Sequence, residues 1–204
     1  MPSPIKKIFF RNYVFDIWEN VYEPAEDSFL FAENLTVKED EDVLDMGTGC
    51  GILGILASEK ASRVIAVDIN PYAVRCAKEN SKLNSVAGKM LFVRGDLFRP
   101  LRTEDKFDLI LFNAPYLPTE YAEDGSWLAC AWTGGASGRQ VIDRFIREAP
   151  KHVGQDGRIF LMQSTLSDVN DTLKGFAEAG LKARIIAQGD LPFFETLGLV
   201  EAKR

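Results

Sequence analysis

Cysteine and histidine are scarce in this sequence, which has three cysteines and one histidine in 204 residues. Cys50, Cys76 and Cys130 show no C-x-x-C spacing, so we expect neither a zinc site nor another metal site. The same scarcity argues against a disulfide framework. A reducing cytoplasm is therefore the expected compartment.

Long apolar runs and a basic stripe are also missing. No run reaches the length of a membrane-spanning helix, and the apolar segment near the start is too short for a secretory signal. The formal net charge is −6, with only a small basic cluster at Lys6, Lys7 and Arg11. Nucleic-acid binders usually carry a basic stripe that neutralises phosphates, so the charge weighs against a nucleic-acid partner without excluding one.

The composition that remains is ordinary for a globular protein, with 46% apolar and 26% charged residues. We expect one domain over residues 1–204, made of an amino-terminal lid segment (1–42) and a core (43–204). In the lid, Ile8–Trp18 alternates and predicts a strand or hairpin. Tyr22–Ser28 then leads into a helix near Asp27–Leu35, and the lid is expected to pack over a ligand pocket.

Predicted strands and helices alternate from residue 43 onward. The strands are Val43–Met46, Arg63–Asp68, Met90–Val93, Phe107–Phe112, Arg158–Met162, about Ala183–Ala187 and about Leu197–Ala202; the helices are Gly51 to about Lys60, Pro71 to about Leu83, Gly138–Ala149 and about Ser167–Ala179. Alternation of this kind indicates a parallel sheet with helices on both faces. The last two strands leave no room for a helical crossover, so they should pair antiparallel. The predicted fold is α/β and Rossmann-like, with a seven-stranded, mostly parallel sheet and an antiparallel last strand.

A glycine-rich loop follows the first core strand: Asp45-Met-Gly47-Thr-Gly49-Cys-Gly51. Glycines let the backbone turn sharply and let a ligand approach without meeting a Cβ. The third glycine comes one residue too early for the dinucleotide pattern G-x-G-x-x-G. Asp45, two residues before the first glycine, suits an ammonium or hydroxyl group better than a pyrophosphate.

Two further acidic residues follow the next two strands. Asp68 stands where a ribose diol would be bound, and Asp96, followed by Leu97, stands where an adenine amino group could donate. S-adenosylmethionine carries a cationic amino group, a ribose and an adenine, so it meets all three requirements. Each acidic residue alone also fits a helix cap or a turn. Glu26 and Ser28 are expected to close the pocket from the lid, although a helix-start role fits them as well.

The tetrapeptide Asn113-Ala114-Pro115-Tyr116 ends the apolar run over 107–112. A strand with Asn-x-Pro-Tyr at its carboxyl end brings two acceptor oxygens and an aromatic face to one point. That arrangement suits a planar –NH₂ group, either an amide or an exocyclic base amine. The stretch from 117 to about 137 has no clear periodicity and holds two tryptophans, so we expect it to face the substrate; its acidic members are Glu120, Glu123 and Asp124.

Three segments carry a resemblance to a known family: residues 21–28, 45–51 and 131–139. The chain resembles class I S-adenosylmethionine-dependent methyltransferases of the HemK type. It is similar in particular to their eukaryotic and archaeal branch, which methylates the amide of the glutamine in the Gly-Gly-Gln loop of translation release factors. The resemblance runs from about Tyr22 to the carboxyl terminus. It implies cofactor contacts at Ser28, Asp45, Gly47, Asp68, Asp96, Leu97 and Asn113.

The expected activity is therefore methylation of a protein glutamine at N5. Asn113 Oδ1 and the Ala114 carbonyl are expected to accept from the two amide N–H groups, and Tyr116 to pack on the amide. The family usually has proline where Ala114 stands, so the backbone carbonyl is kept and the constraint on φ is lost. An adenine-N6 methyltransferase, a protein-lysine methyltransferase and a weakly catalytic cofactor-binding scaffold remain alternatives. The resemblance also implies a small zinc-binding activator subunit, for which the edge strand Met90–Val93 is the expected contact.

Overall fold

The computed structural model describes residues 4–119 and 125–204. Within these ranges the strands are Lys6–Phe10 (β1), Tyr13–Ile17 (β2), Asp42–Met46 (β3), Arg63–Asp68 (β4), Met90–Arg94 (β5), Phe107–Asn113 (β6), Val153–Ser164 (β7), Lys182–Asp190 (β8) and Thr196–Lys203 (β9). The α-helices are Glu26–Asn34 (α1), Ile52–Ala57 (α2), Pro71–Leu83 (α3), Gln140–Glu148 (α4) and Val169–Glu178 (α5).

Strands β3 to β9 form one seven-stranded sheet in the order β5-β4-β3-β6-β7-β9-β8. The pairs β3–β4, β4–β5, β3–β6 and β6–β7 are parallel. Strand β9 lies between β7 and β8 and is antiparallel to both. The predicted fold is thus confirmed, including the antiparallel last strand and the position of β5 at the edge.

Apolar side chains cover the two faces of the sheet separately. One face packs against α1, α2 and α3, where Phe31 lies against Phe160 with ring centroids 6.4 Å apart. The other face packs against α4 and α5, where Phe112 and Phe145 lie 4.6 Å apart. The strands between these layers are nearly continuous apolar runs, as burial on both faces requires.

Some element boundaries differ from those expected. Helix α2 ends at Ala57 and not near residue 60, and the Ser58 hydroxyl there donates to the Ile55 carbonyl at 2.6 Å, a local bond that competes with helix continuation. Strand β7 begins at Val153, five residues early, because its first part is polar and glycine-containing and gives no apolar signal. The start of α3 follows its sequence signals, with Asn70 accepting from the Tyr72 backbone N–H and Pro71 in the first position.

The amino-terminal segment divides into two parts. Strands β1 and β2 form a separate antiparallel ribbon. This ribbon is bound to α3 by the Asn84 and Asn80 side chains, which accept from the Val14 and Asp16 backbone N–H groups at 3.0 and 2.9 Å. Of the described residues before β3, those that line the main cavity all lie between Tyr22 and Ser28. No helix in the described ranges combines the length and the apolar composition that crossing a membrane requires.

Candidate active site

A cavity of about 540 Å³ opens at the carboxyl ends of β3, β4 and β6. The chain order of the strands reverses at β3, which has β4 on one side and β6 on the other. In open α/β sheets this reversal leaves a crevice between the loops that leave neighbouring strands, and ligands bind there. The volume lies within the range of ordinary small-molecule and cofactor sites.

The glycine loop after β3 forms the floor of the cavity. Gly47, Gly49 and Gly51 have φ of 65°, 58° and 91°, in the region that side chains rarely adopt. A Cβ on Gly47 would lie 3.2 Å from the Phe112 ring, whereas one on Gly49 would meet nothing within 4 Å. Gly47 is therefore needed for packing, and Gly49 leaves open space where a ligand can approach the backbone.

Asp45 lies behind this loop and does not line the cavity. Its Oδ2 accepts from the Thr48 hydroxyl at 2.6 Å and from the Gly54 backbone N–H at 3.1 Å. Burial raises the pKa of Asp45 to about 7, against the lowering effect of these hydrogen bonds. Asp45 thus braces the loop, and its predicted contact with a ligand ammonium stays a prediction.

Asp68 and Asp96 do line the cavity. Asp68 accepts from the backbone N–H groups of Gly49 and Asn70, both at 2.9 Å, which fixes its carboxylate at the end of β4. Burial raises the pKa of Asp68 in spite of these bonds. Asp96 accepts from Arg144 at 2.7 Å and forms an ion pair with Arg99, and both contacts use Oδ2.

Leu97 follows Asp96 with a φ of 49°, in a left-handed conformation that is uncommon for a residue with a side chain. It is buried and also lines the cavity. Strained backbone of this kind persists where the surroundings enforce it, and it is frequent at ligand sites.

Asn113 lines the cavity at the end of β6, and hydrogen bonds fix the orientation of its side chain. Its Nδ2 donates to Asp27 Oδ2 at 3.1 Å and to Ser28 Oγ at 3.2 Å. A carboxylate can only accept, so the amide must present Nδ2 to Asp27. Oδ1 is left buried, and none of the described residues donates to it. A buried acceptor without a partner costs free energy, and a bound donor would remove that cost.

Asp27 also holds two tyrosines of the cavity wall. It accepts from the Tyr22 hydroxyl at 3.2 Å and from the Tyr116 hydroxyl at 3.3 Å. Burial raises the pKa of both tyrosines, and the Asp27 charge adds to the effect. Both phenols are therefore neutral donors at physiological pH, and they present fixed aromatic surfaces on one side of Asn113.

Helix α1 places two of the predicted lid residues differently. Ser28 is buried and lines the cavity, whereas Glu26 is exposed and outside the cavity lining. Asp27 takes the inward position instead, and sequence reasoning missed it. A signal was available: Phe31 and Ala32 lie four residues after Asp27 and Ser28, and residues at this spacing share one face of a helix.

The segment after Tyr116 returns to the site over the described residues 125–137. Trp127 and Trp132 line the cavity, and Leu117 exchanges backbone hydrogen bonds with Trp132 and Gly134, both at 2.9 Å. Glu120, Glu123 and Asp124 of the predicted substrate-facing stretch lie outside the described residues.

The turn at 133–139 fixes the backbone of this segment. A Cβ on Gly138, whose φ is 72°, would lie 2.3 Å from the Tyr116 carbonyl oxygen. Arg139 is buried and donates to the Ser167 and Asp168 carbonyls at 2.5 and 2.6 Å. This turn therefore supports the tetrapeptide from behind. Ala114, in the tetrapeptide itself, is buried, and its N–H donates to the Met162 carbonyl at 3.3 Å.

Comparison with known sequences finds methyltransferases. The family model for ribosomal protein L11 methyltransferase matches residues 27–114. A protein of Methanocaldococcus jannaschii, named as a protein N5-glutamine methyltransferase, is 44% identical over 87% of this chain and 89% of its own length. Methyltransferase HEMK2 of Homo sapiens is 34% identical over 81% of each chain.

Comparison with solved structures gives the same result. The E. cuniculi Mtq2–Trm112 complex, described as responsible for methylation of the translation termination factor eRF1, contains a chain that matches with a TM-score of 0.70 and 26% identity. The match covers 91% of the present chain and 99% of that one.

Proposed function

This chain belongs to the HemK-type family of protein N5-glutamine methyltransferases, and we propose that its substrate is the glutamine of a Gly-Gly-Gln loop in a translation release factor. A relative from Aquifex aeolicus, 29% identical over 72% of this chain, is named as a release factor glutamine methyltransferase. The structural neighbour is described as acting on a termination factor. One observation in the chain itself carries the proposal: Asn113 lines the cavity, and its buried Oδ1 has no donor among the described residues.

The cavity fits S-adenosylmethionine as the methyl donor. Asp68 would bind the ribose hydroxyls, since its oxygens are held by the backbone at the end of β4. Asp96 Oδ1 is not used by the two arginines and would accept from the adenine amino group. The open space beside Gly49 leaves room for the ligand next to the loop. When bound, this cofactor supplies an electrophilic methyl group on a sulfonium.

Asn113 activates the substrate nitrogen by orienting it. An amide nitrogen is a weak nucleophile because its lone pair is delocalised into the carbonyl. Asn113 Oδ1 and the Ala114 carbonyl would accept the two N–H hydrogens, which fixes the nitrogen and stabilises the positive charge that develops on it. Asp27 and Ser28 position Asn113, because they accept from Nδ2 and leave Oδ1 as the oxygen available to the substrate amide.

The described residues around Asn113 contain no strong base, and the reaction needs none. The chain's one histidine is buried elsewhere, its ring stacked on Phe98 at 4.9 Å. Tyr22 and Tyr116 have raised pKa values through burial and remain protonated. The amide proton can leave to solvent, since a nitrogen that has become cationic is a strong acid.

The exposed edge of β5 supports a second proposal, that a small partner subunit adds a strand there. β5 pairs only with β4, so one row of its backbone groups is free within the described sheet. Leu91 on this strand is 54% exposed, whereas Phe92 packs against the core. The structural neighbour was solved with a second chain, and addition of a strand to an edge is a common way to bind one.

Transfer of a labelled methyl group tests the proposed function. The purified chain, with and without the partner subunit, is incubated with labelled S-adenosylmethionine and one of four acceptors. These are an intact release factor, the same factor with its Gly-Gly-Gln glutamine changed to alanine, adenine-containing DNA, and a lysine-rich histone peptide. We expect label in the intact factor only. Label in the alanine variant, DNA or histone peptide, or in no acceptor, would contradict the proposal.

A further inference from the structure

Two adjacent phenylalanines at the tip of the β8–β9 hairpin are fully exposed: Phe193 at 96% and Phe194 at 104% of their reference surface. Both have positive φ, 62° and 64°, in the left-handed region where bulky residues are genuine outliers. The tip is closed by a hydrogen bond from the Leu191 N–H to the Glu195 carbonyl at 2.8 Å. The chain therefore holds two aromatic rings in solvent on a strained backbone. Neither the exposed rings nor the strained backbone stabilises the isolated chain.

The hairpin lies next to the part of the cavity that holds Asp27 and Asn113. A Cβ on Gly189 in its stem would lie 3.2 Å from the Leu30 side chain, so the stem packs on α1, the helix that carries Asp27. Burial raises the pKa of Tyr116, and the negative charges of Asp27 and Glu195 add to the effect. The tip itself is outside the cavity lining. We call this exposed tip, together with the neighbouring first turn of α1, the rim of the cavity.

We propose that the hairpin tip 191–195, with Phe193 and Phe194 as its anchors, is the surface that docks the protein substrate beside the Asn113 site. This inference rests on the proposed function, because it assumes that the acceptor amide belongs to a folded protein. A glutamine side chain is short, so the body of the substrate must lie against the rim. A specific complex buries about 1,200–2,000 Å² in total, which a single side chain in the cavity cannot supply. Exposed aromatic residues are typical anchors of such interfaces.

The charge at the rim defines the chemistry of the partner. Glu26 and Glu195 come from different elements, and neither forms an ion pair within the described parts of the chain. The net charge of the chain is −6. Complementary potentials steer association and fix register, so the partner should present basic side chains around an apolar patch that receives the two rings.

A double variant, Phe193→Asn with Phe194→Asn, tests the docking surface. Asparagine tolerates positive φ better than most residues with a side chain, so the tip should keep its conformation. Phe9→Asn is the matched control, since Phe9 is 73% exposed on the separate β1–β2 ribbon. For each protein we would measure kcat/KM with intact release factor and with a short peptide containing Gly-Gly-Gln, the affinity for S-adenosylmethionine, and binding of the factor by calorimetry.

We expect the double variant to lose at least about tenfold in kcat/KM and in affinity for the intact factor, the loss that removal of one interface anchor causes. The short peptide, the cofactor affinity and the Phe9→Asn control should change by less than about twofold, a small fraction of an anchor's effect. An equal loss with peptide and factor, or no loss with either, would overturn the docking surface. So would a wild-type dimer that the double variant converts to a monomer without any change in kinetics with the factor.

Failure of the proposed function is a separate outcome. A wild-type chain that binds the factor without methylating it would refute the proposed activity, and the calorimetric comparison would still decide the docking surface. A wild-type chain that does not bind the factor would overturn the docking surface itself.

Discussion

Asp45 is the residue whose protonation should affect the stability of the fold most visibly. Burial raises its pKa to about 7 in the folded protein, compared with about 3.9 in an unfolded chain. Between these values the folded state binds a proton that the unfolded chain has released. The free energy of unfolding that this group contributes is therefore fully present below pH 4 and falls as pH rises to about 7.

Asp45→Asn removes this titration while keeping an oxygen that can accept from Thr48 and Gly54. We would measure free energies of unfolding by urea denaturation at several pH values. As pH rises from about 4 to about 7, the free energy of unfolding of the wild type should fall relative to that of the variant. This window is set by the two pKa values. A difference that is constant over this window would show that Asp45 is ionised in the fold.

Asp68 is the residue on which cofactor affinity should depend. Asp68→Ala removes the carboxylate that we assign to the ribose, and binding of S-adenosylmethionine should weaken by about 1.5–3 kcal/mol, the range for hydrogen bonds to a charged group. Isothermal calorimetry measures this directly. Because Asp68 also accepts from Gly49 and Asn70, thermal unfolding of the ligand-free variant is the necessary control. Unchanged affinity in a folded variant would remove Asp68 from the site.

At the scale of elements, the end of β6 differs from the family pattern at Ala114. Proline there would restrict the unfolded chain and stabilise the protein by about 0.4–1 kcal/mol. It would also remove the N–H that donates to the Met162 carbonyl at 3.3 Å, a bond worth about 0.5–1.5 kcal/mol. The two effects nearly cancel, so Ala114→Pro should change the free energy of unfolding by less than about 1 kcal/mol. Chemical denaturation checks this, and a larger loss would show that the backbone at 114 is unsuited to proline.

The order of elements was predictable from the sequence because each strand of the sheet is an apolar run bounded by turns. Asp68, Asp96 and Asn113 followed from the same pattern, since parallel strands deliver their carboxyl ends to one edge. Other parts of the site depend on contacts between distant segments. Asn113 meets Asp27 across 86 positions and Asp96 meets Arg144 across 48. No local periodicity encodes such pairs. The outward turn of Glu26 is a different case, because the buried face of α1 follows the local spacing of Asp27 and Ser28 with Phe31 and Ala32.

For the whole molecule, the free edge of β5 predicts association with a second subunit. Leu91→Asp should prevent co-purification with the activator subunit, because a charge would enter the contact. It should hardly change the stability of the isolated chain, because Leu91 is already exposed. Phe92 on the same strand packs against the core and is therefore unsuitable for this test. Size-exclusion chromatography of co-expressed proteins gives the measurement.

Ile185→Asp is the matched control for this experiment. Ile185 is 37% exposed on β8, at the opposite edge of the same sheet, so its replacement should leave the complex intact. A complex that survives Leu91→Asp, or a wild-type chain that is fully active alone and does not associate, would contradict a subunit at the β5 edge.

Measuring glutamine methylation by the Asn113→Ala variant tests most directly the central claim, that Asn113 binds and orients the substrate amide. The variant removes Oδ1, one of the two oxygens that we assign to the substrate amide. Asn113 lies at the end of β6 and is only partly buried, so the fold should persist. With intact release factor, and with S-adenosylmethionine binding measured in parallel, we predict a loss of turnover of about 10²–10³-fold or more, as when a preorganised hydrogen-bonding group is removed from an active site. A folded Asn113→Ala protein that binds the cofactor and retains near-normal turnover would contradict the account.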